Sequence, residues 1–106
     1  MARTVEQQGH EVILLEEGNN VMATVLEVRP DLIVMDVMLP DRSGFAITAE
    51  LSQSPSTAAI PIVLVSVKDQ DVDREYGLRQ GARAYLAKPF SDSQLIAVLD
   101  GLLVGG

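Results

Sequence analysis

Three polar residues in this sequence, Asp36, Ser66 and Lys88, have the types and the spacing to do chemistry together. Each ends or follows a run of apolar residues, and the carboxyl ends of parallel strands meet at one edge of a sheet. A carboxylate at that edge can act as a nucleophile and form an acyl phosphate. A hydroxyl can hydrogen-bond a phosphoryl oxygen, and an ammonium can neutralise the charge of the group. The residues therefore predict phosphoryl transfer to Asp36, a reaction that depends mainly on positioning and electrostatics, normally with Mg²⁺.

Helices and strands must alternate to place those residues at one edge, and the hydrophobic pattern predicts that alternation. Predicted strands cover 11–15, 32–36, 61–66 and 84–87, and predicted helices cover 19–28, 44–53, 69–80 and 92–103. The strands are nearly continuous apolar runs, as expected when helices cover both faces of a parallel sheet. Residues 2–8 are predicted as the last turns of a further helix, which Gly9 ends. We therefore predict one α/β domain over residues 1–106, with four parallel strands in this chain.

The composition excludes several classes of function. The formal net charge of −7 argues against nucleic acid or an anionic membrane surface as a direct partner, since both attract basic patches. The absence of cysteine excludes disulfides and thiolate metal sites. The sequence contains no apolar run near the roughly 20 residues that span a bilayer, and its start lacks the pattern of a signal peptide. We therefore expect a cytoplasmic protein.

The sequence closely resembles the receiver domains of bacterial two-component response regulators over nearly its whole length. The resemblance rests on three stretches, DVMLPDRSG (36–44), IPIVLVS (60–66) and GARAYLAKPF (81–90). It implies a flavodoxin-like parallel sheet of five strands in the order 2-1-3-4-5, wrapped by helices. It also implies that the protein takes its phosphoryl group from a sensor histidine kinase or a phosphotransfer protein.

The resemblance assigns roles to single residues. Asp36 would be the phosphoacceptor, Ser66 the switch hydroxyl and Tyr85 the switch aromatic residue. Lys88 would bind the phosphoryl group. The Lys88–Pro89 peptide bond is expected to be cis, a minority state for such bonds in general, and would aim the lysine inward.

The metal site is where the sequence departs from the family. Family members hold Mg²⁺ with the residues that match Asp36 and the backbone carbonyl of Met38, and with a pair of acidic residues that ends the first strand. Counted back from Asp36, that pair would precede Met1, so the first strand and most of the first helix are expected to be missing. We therefore expect weak Mg²⁺ binding or none. Glu16 and Glu17 are candidates for a replacement pair, although an exposed strand end is their more ordinary interpretation.

A sheet without its central strand would leave strands 11–15 and 32–36 with unpaired apolar edges, which are a pairing hazard. Strand 11–15 could close up against 32–36 through a right-handed crossover made by helix 19–28. Two chains could instead pair or exchange elements, giving a homodimer through the exposed strand edges. The chain could also be incomplete and fold poorly alone. Of these outcomes, we expect a closed sheet or a dimer.

Other distinctive residues have ordinary interpretations. Asp41 and the single histidine, His10, are predicted to be solvated surface residues. The charged run 68–75 is predicted to be the solvated face of a helix, and it could also serve as a docking face. Val67 follows the switch hydroxyl at a position where the family usually has a small residue, so we expect slower entry of a phosphodonor or water.

Three hypotheses for function follow. In the first, a receiver module is phosphorylated on Asp36 and switches the face built by residues 69–103 for partner binding; it would be no enzyme beyond its own phosphorylation and dephosphorylation. In the second, a pseudo-receiver binds partners without phosphorylation, since the acidic pair is missing. The third, a phosphohydrolase with an aspartate nucleophile, is disfavoured because Met38 stands where such enzymes need a second aspartate.

Overall fold

Strands and helices alternate along the chain in the computed structural model, which describes the backbone of residues 2–7, 9–68 and 70–104 and the side chains of 9–68 and 70–103. The elements are β1 (Ala2–Gln7), β2 (His10–Leu15), α1 (Val21–Val28), β3 (Leu32–Asp36), α2 (Gly44–Gln53), β4 (Ile62–Ser66), α3 (Asp71–Gln80), β5 (Ala84–Ala87) and α4 (Asp92–Val104). The predicted elements from residue 10 onward are all present, with boundaries that move by at most two residues.

The four strands β2 to β5 are parallel and lie side by side in sequence order. Most aliphatic residues of β2, β3 and β4 are buried, on both faces of the sheet, as the sequence indicated, whereas Ala84, Leu86 and Ala87 of β5 are half-buried. Four parallel strands and four helices confirm the predicted α/β class and the flavodoxin-like sheet wrapped by helices.

The segment before Gly9 is a strand, so the predicted helix over residues 2–8 is wrong. Ala2–Gln7 forms β1, which pairs antiparallel with β2 from Ala2 opposite Leu15 to Gln7 opposite His10. Gly9 has a φ of 81°, a left-handed conformation that glycine adopts at little cost in a tight hairpin connection. A helix of seven residues is marginal in water, whereas the edge of β2 offers a row of backbone donors and acceptors. Gln8 lies outside the described residues.

Strands β2 and β3 are direct neighbours in the sheet. The two strands pair in parallel, from Val12 opposite Leu32 to Leu15 opposite Met35, and the described residues place no strand between them. With β1 on its other side, β2 has both edges paired. The pairing of β2 with β3 is therefore that of the closed arrangement, and the described strands lie in sequence order instead of the family order 2-1-3-4-5.

That order decides which helices cover which face. Three crossovers of the same hand, all stepping in one direction, place their helices on one face of the sheet. Accordingly, α1 and α2 pack on one face, and α4 packs on the other. The first core contains Ile13, Val25, Ile33, Ile47, Leu51 and Leu64, and the second contains Val12, Leu32, Val63 and Leu99. Among the described residues, no helix is long and apolar enough to cross a membrane.

Candidate functional site

Asp36, Ser66 and Lys88 meet at the carboxyl edge of the sheet. Asp36 and Ser66 are the last residues of β3 and β4, and Lys88 directly follows β5. The ammonium of Lys88 donates to Oδ2 of Asp36, and its backbone N–H donates to the carbonyl of Ser66 at 2.8 Å. The three residues that the strand-end argument selected therefore lie within one hydrogen-bonded group.

The carboxylate of Asp36 is oriented by donors on both oxygens. Lys88 binds Oδ2, and the backbone N–H of Met38 donates to Oδ1 at 2.9 Å. The side chain of Asp36 keeps 26% of its surface exposed, and that of Lys88 keeps 38%. The carboxylate is thus fixed in direction but reachable from solvent, with a cation beside it that could receive the charge of an incoming phosphoryl group.

The loop after Asp36 turns back tightly because of Gly44. The N–H of Gly44 donates to the carbonyl of Val37 at 2.7 Å. A Cβ on Gly44 would lie 2.4 Å from the carbonyl oxygen of Asp36 and 2.8 Å from the Cα of Val37. Ser43 then caps α2, since its Oγ accepts from the N–H of Phe45 at 3.1 Å. The start of α2 is therefore packed directly against the backbone of Asp36.

Ser66 and Tyr85 are joined through the backbone of Lys68. The Oγ of Ser66 accepts from the N–H of Lys68 at 3.0 Å, and the hydroxyl of Tyr85 donates to the carbonyl of Lys68 at 2.7 Å. Ser66 is fully buried, and Tyr85 is 5% exposed. Burial raises the pKa of the Tyr85 phenol, an effect that the Ser66 hydroxyl and Arg74 oppose in part, so the phenol stays protonated at neutral pH.

The site also includes a cis peptide bond, an exposed valine and an adjoining surface cavity. The Lys88–Pro89 peptide bond is cis. Val67, expected to crowd the phosphate pocket, is 65% exposed. A surface cavity of about 290 Å³ adjoins the loop after Asp36. It is lined by Val37, Met38, Leu39, Arg42, Ser43, Phe45 and Lys68.

The residues at this edge do not fit a preformed Mg²⁺ site. Over the described parts of the chain, no three His, Asp or Glu side chains are grouped so that they could hold a metal ion. Both oxygens of Asp36 already have donors, and Met38 contributes its N–H to the carboxylate. Glu16 and Glu17 follow β2 and are exposed. Mg²⁺ requires near-octahedral oxygen ligands, whereas here an ammonium faces the carboxylate of Asp36.

Asp41 is exposed, as predicted, and it also makes a specific contact within the fold. Its Oδ1 accepts from the backbone N–H of Gly18 at 2.6 Å, which joins the loop after β2 to the loop after β3. Gly18 is buried, and a Cβ there would lie 2.8 Å from the Cβ of Arg42. His10, the other residue predicted at the surface, starts β2 and lies 3.8 Å from the carboxylate of Asp31, with 40% of its side chain exposed.

The sequence gives no sign of the contacts that Arg74 makes. Its Nη1 donates to the carbonyl of Tyr85 at 2.6 Å, and its Cζ lies 5.5 Å from the centroid of the Tyr85 ring. The second distance is typical of a cation–π contact. Arg74 lies among acidic residues in the charged run 68–75. Nothing in that pattern distinguishes it from the residues of a solvated helix face.

The chain is similar to proteins of a known family. The family model for the response regulator receiver domain matches residues 1–100. Protein PilH of Pseudomonas aeruginosa is 38% identical over 101 residues, which span 95% of this chain and 84% of that protein. A putative response regulator from Chloroflexus aurantiacus has a TM-score of 0.78 and 27% identity, covering 85% of this chain and 74% of that one. A third similar structure is the receiver domain of a sensor histidine kinase from Pseudomonas aeruginosa, with magnesium coordinated in its active-site cleft. It has a TM-score of 0.75 and 29% identity, covering 85% of this chain and 74% of that one.

Proposed function

Because this chain belongs to the family of response regulator receiver domains of two-component systems, we propose that it accepts a phosphoryl group on Asp36. The observation that supports this most directly is the contact of the Lys88 ammonium with Oδ2 of Asp36 at the carboxyl edge of the sheet. A carboxylate that is reachable, oriented and paired with a cation is suited to receive a phosphoryl group and to hold the product.

The transfer makes one bond and breaks one. A carboxylate oxygen of Asp36 attacks the phosphorus of a phosphohistidine, and the phosphorus–nitrogen bond breaks with its electron pair going to the departing imidazole nitrogen. The product is an acyl phosphate on Asp36. Lys88 already lies beside the carboxylate and would move its charge to a phosphoryl oxygen. Ser66, whose Oγ accepts from Lys68, keeps its own hydroxyl proton to donate to a second phosphoryl oxygen.

The phosphodonor would be a sensor histidine kinase or a phosphotransfer protein, as the family membership implies. The added group brings about −1.5 to −2 charges at neutral pH. It would draw Lys88 away from its pairing with the free carboxylate, and the backbone of Lys88 is bonded to Ser66 at the end of β4. We therefore propose that the signal leaves through the face that the family resemblance assigns to residues 69–103, which include α3, β5 and α4.

The proposal is tested by intact mass after incubation with a small acyl phosphate. We expect the wild-type chain to gain one phosphoryl group and Asp36→Asn to gain none. Asp71→Asn, which removes the same charge from an exposed site on α3, should behave as wild type. Parallel samples with Mg²⁺ and with a chelator measure the metal dependence, which we expect to be weak because Lys88 rather than acidic ligands faces Asp36.

Two results would overturn the phosphoacceptor assignment. One is the absence of any mass gain in the wild type, which would favour a pseudo-receiver that binds partners without phosphorylation. The other is a mass gain that persists in Asp36→Asn, which would place the reactive group elsewhere on the chain.

Homodimerisation through strand edges stays a prediction. Because β2 is paired on both sides, the edges of the described sheet are now β1 and β5. Sedimentation velocity measured over a range of concentrations would detect the dimer, and a single monomeric species throughout that range would remove it.

A further inference from the structure

Arg74 on α3 makes two contacts with one residue of the neighbouring strand. Its guanidinium donates to the backbone carbonyl of Tyr85 at 2.6 Å, and its Cζ lies 5.5 Å from the centroid of the Tyr85 ring. A planar guanidinium can donate and lie against an aromatic ring at the same time, which a lysine ammonium does less well. Arg74 therefore restrains both the backbone and the ring of Tyr85.

The close packing of α3 also restricts the movement of the Tyr85 ring. Gly77 follows Arg74 by three residues, and a Cβ at that position would lie 3.1 Å from Cδ2 of Tyr85 and 3.1 Å from Cδ1 of Leu64. The helix can come this close because Gly77 has no side chain. Tyr85 is 5% exposed, so its ring lies inside the molecule.

The hydroxyl of Tyr85 transmits that position to the end of β4. It donates to the carbonyl of Lys68 at 2.7 Å, and the N–H of Lys68 donates to Oγ of Ser66 at 3.0 Å. The backbone of Lys68 is thus held at both ends. Because the Lys68 N–H takes one lone pair of Ser66 Oγ, it restricts the directions in which the Ser66 proton can point.

We propose that Arg74 is a positioning residue for phosphoryl transfer, which holds Tyr85 buried and, through the backbone of Lys68, keeps the Ser66 hydroxyl oriented toward the phosphoryl group. The inference rests on the proposed function of Asp36. Its new element is that a residue on α3 sets the geometry of Ser66 before any phosphoryl group is present. The hydrogen bonds that link Arg74 to Tyr85, Tyr85 to Lys68 and Lys68 to Ser66 all exist in the unphosphorylated molecule.

The first test measures the burial of Tyr85 without phosphorylation. The chain has two tyrosines, so fluorotyrosine incorporation gives two fluorine NMR signals, which Tyr76→Phe assigns. In Arg74→Leu, which keeps aliphatic bulk and removes the donors and the charge, we expect the Tyr85 signal to become as sensitive to solvent as that of Tyr76. The matched control is Arg79→Leu, on the same helix, because the side chain of Arg79 is 74% exposed and lies 4.0 Å from the carboxylate of Glu75.

The second test measures the rate of phosphorylation by a small acyl phosphate. We expect Arg74→Leu to lower it roughly tenfold, less than the ~100-fold that a 1 Å misplacement can cost, and Arg79→Leu to leave it unchanged. A double-mutant cycle separates positioning from a general structural effect. If Arg74 acts through Ser66, then Arg74→Leu should have no further effect on the rate in a Ser66→Ala background.

Each result bears on a different part of the inference. A Tyr85 that stays buried in Arg74→Leu overturns the restraint by Arg74. A Tyr85 that becomes exposed while the rate is unchanged, or a rate loss that is undiminished in the Ser66→Ala background, overturns the positioning role. If the wild type takes up no phosphoryl group, the proposed function fails together with the positioning role, whereas the fluorine signals still decide whether Arg74 holds Tyr85. Arg74→Lys, which keeps the charge, replaces Arg74→Leu if that variant does not fold.

Discussion

Gly44 is the position where a single methyl group should do most harm to the site. In Gly44→Ala the new Cβ would lie 2.4 Å from the carbonyl oxygen of Asp36 and 2.8 Å from the Cα of Val37. Both are backbone atoms, so no side-chain rotation relieves the overlap. Either the loop after Asp36 or the start of α2 must move, and the 2.7 Å bond from the Gly44 N–H to the Val37 carbonyl is strained or lost.

The overlap with backbone atoms and the lost hydrogen bond together set the size of the effect. Overpacking costs about 1 to 3 kcal/mol, and the upper end applies because the atoms belong to the backbone. Loss of the hydrogen bond costs about 1 kcal/mol more. The helical preference of alanine over glycine returns about 0.5 to 1 kcal/mol. We therefore expect the free energy of unfolding to fall by about 3 kcal/mol, which is a large share of the stability of a small domain.

Equilibrium unfolding in urea measures this loss, and the chain supplies a matched control. Gly101 lies within α4 and is exposed, and a Cβ there would meet no described atom within 4 Å apart from its own stretch of helix. The same substitution there should raise the free energy of unfolding by about 0.5 to 1 kcal/mol, so the two variants should move the urea midpoint in opposite directions. A loss below about 1 kcal/mol in Gly44→Ala, or a loss in Gly101→Ala, would refute the reasoning.

Two further predictions concern side chains that hold the loops. Burial raises the pKa of Tyr85, so above its ordinary value of 10.0 the unfolded chain loses the phenol proton while the folded chain keeps it. The contribution of this phenol to the free energy of unfolding is therefore complete below pH 10 and falls as the pH rises through the folded pKa. Urea titrations should show this loss in the wild type and in Tyr76→Phe but not in Tyr85→Phe. Asp41→Ala removes the acceptor of the Gly18 N–H, a bond of 2.6 Å. It should cost about 1 to 3 kcal/mol by urea unfolding; an unchanged midpoint would contradict the role of this contact.

Much of the fold and the meeting of Asp36 with Lys88 followed from patterns that are local in the sequence. The strands β2 to β5 are short aliphatic runs between helical segments, and such runs pair in parallel when helices connect them. Once the strands are parallel and adjacent, residues at their carboxyl ends must share one edge. That rule alone brings Asp36 beside Lys88, although 52 residues separate them in the chain.

The contacts that tune the site could not be predicted in the same way. Arg74 and Tyr85 are 11 residues apart, and the bond from Gly18 to Asp41 spans 23 residues. Neither pair follows a helical or strand period. Each depends on how closely an element approaches its neighbour, which is set by packing around a buried glycine, Gly77 in the first case and Gly18 in the second.

Residues 2–7 show most clearly that tertiary contacts can override the local preference of a sequence. Residues 2–8 contain good helix formers, and helix propensities differ by only a few tenths of a kcal/mol per residue. Such differences do not decide the state of a segment this short, because a helix leaves its first N–H and last C=O groups unpaired. Pairing with the edge of β2 gives Ala2–Gln7 a ladder of hydrogen bonds along the whole strand and protects that edge. The sequence by itself determined the parallel sheet and the edge where Asp36, Ser66 and Lys88 meet. Only the tertiary structure, through the edge of β2 that needed a partner, decided that Ala2–Gln7 forms a strand.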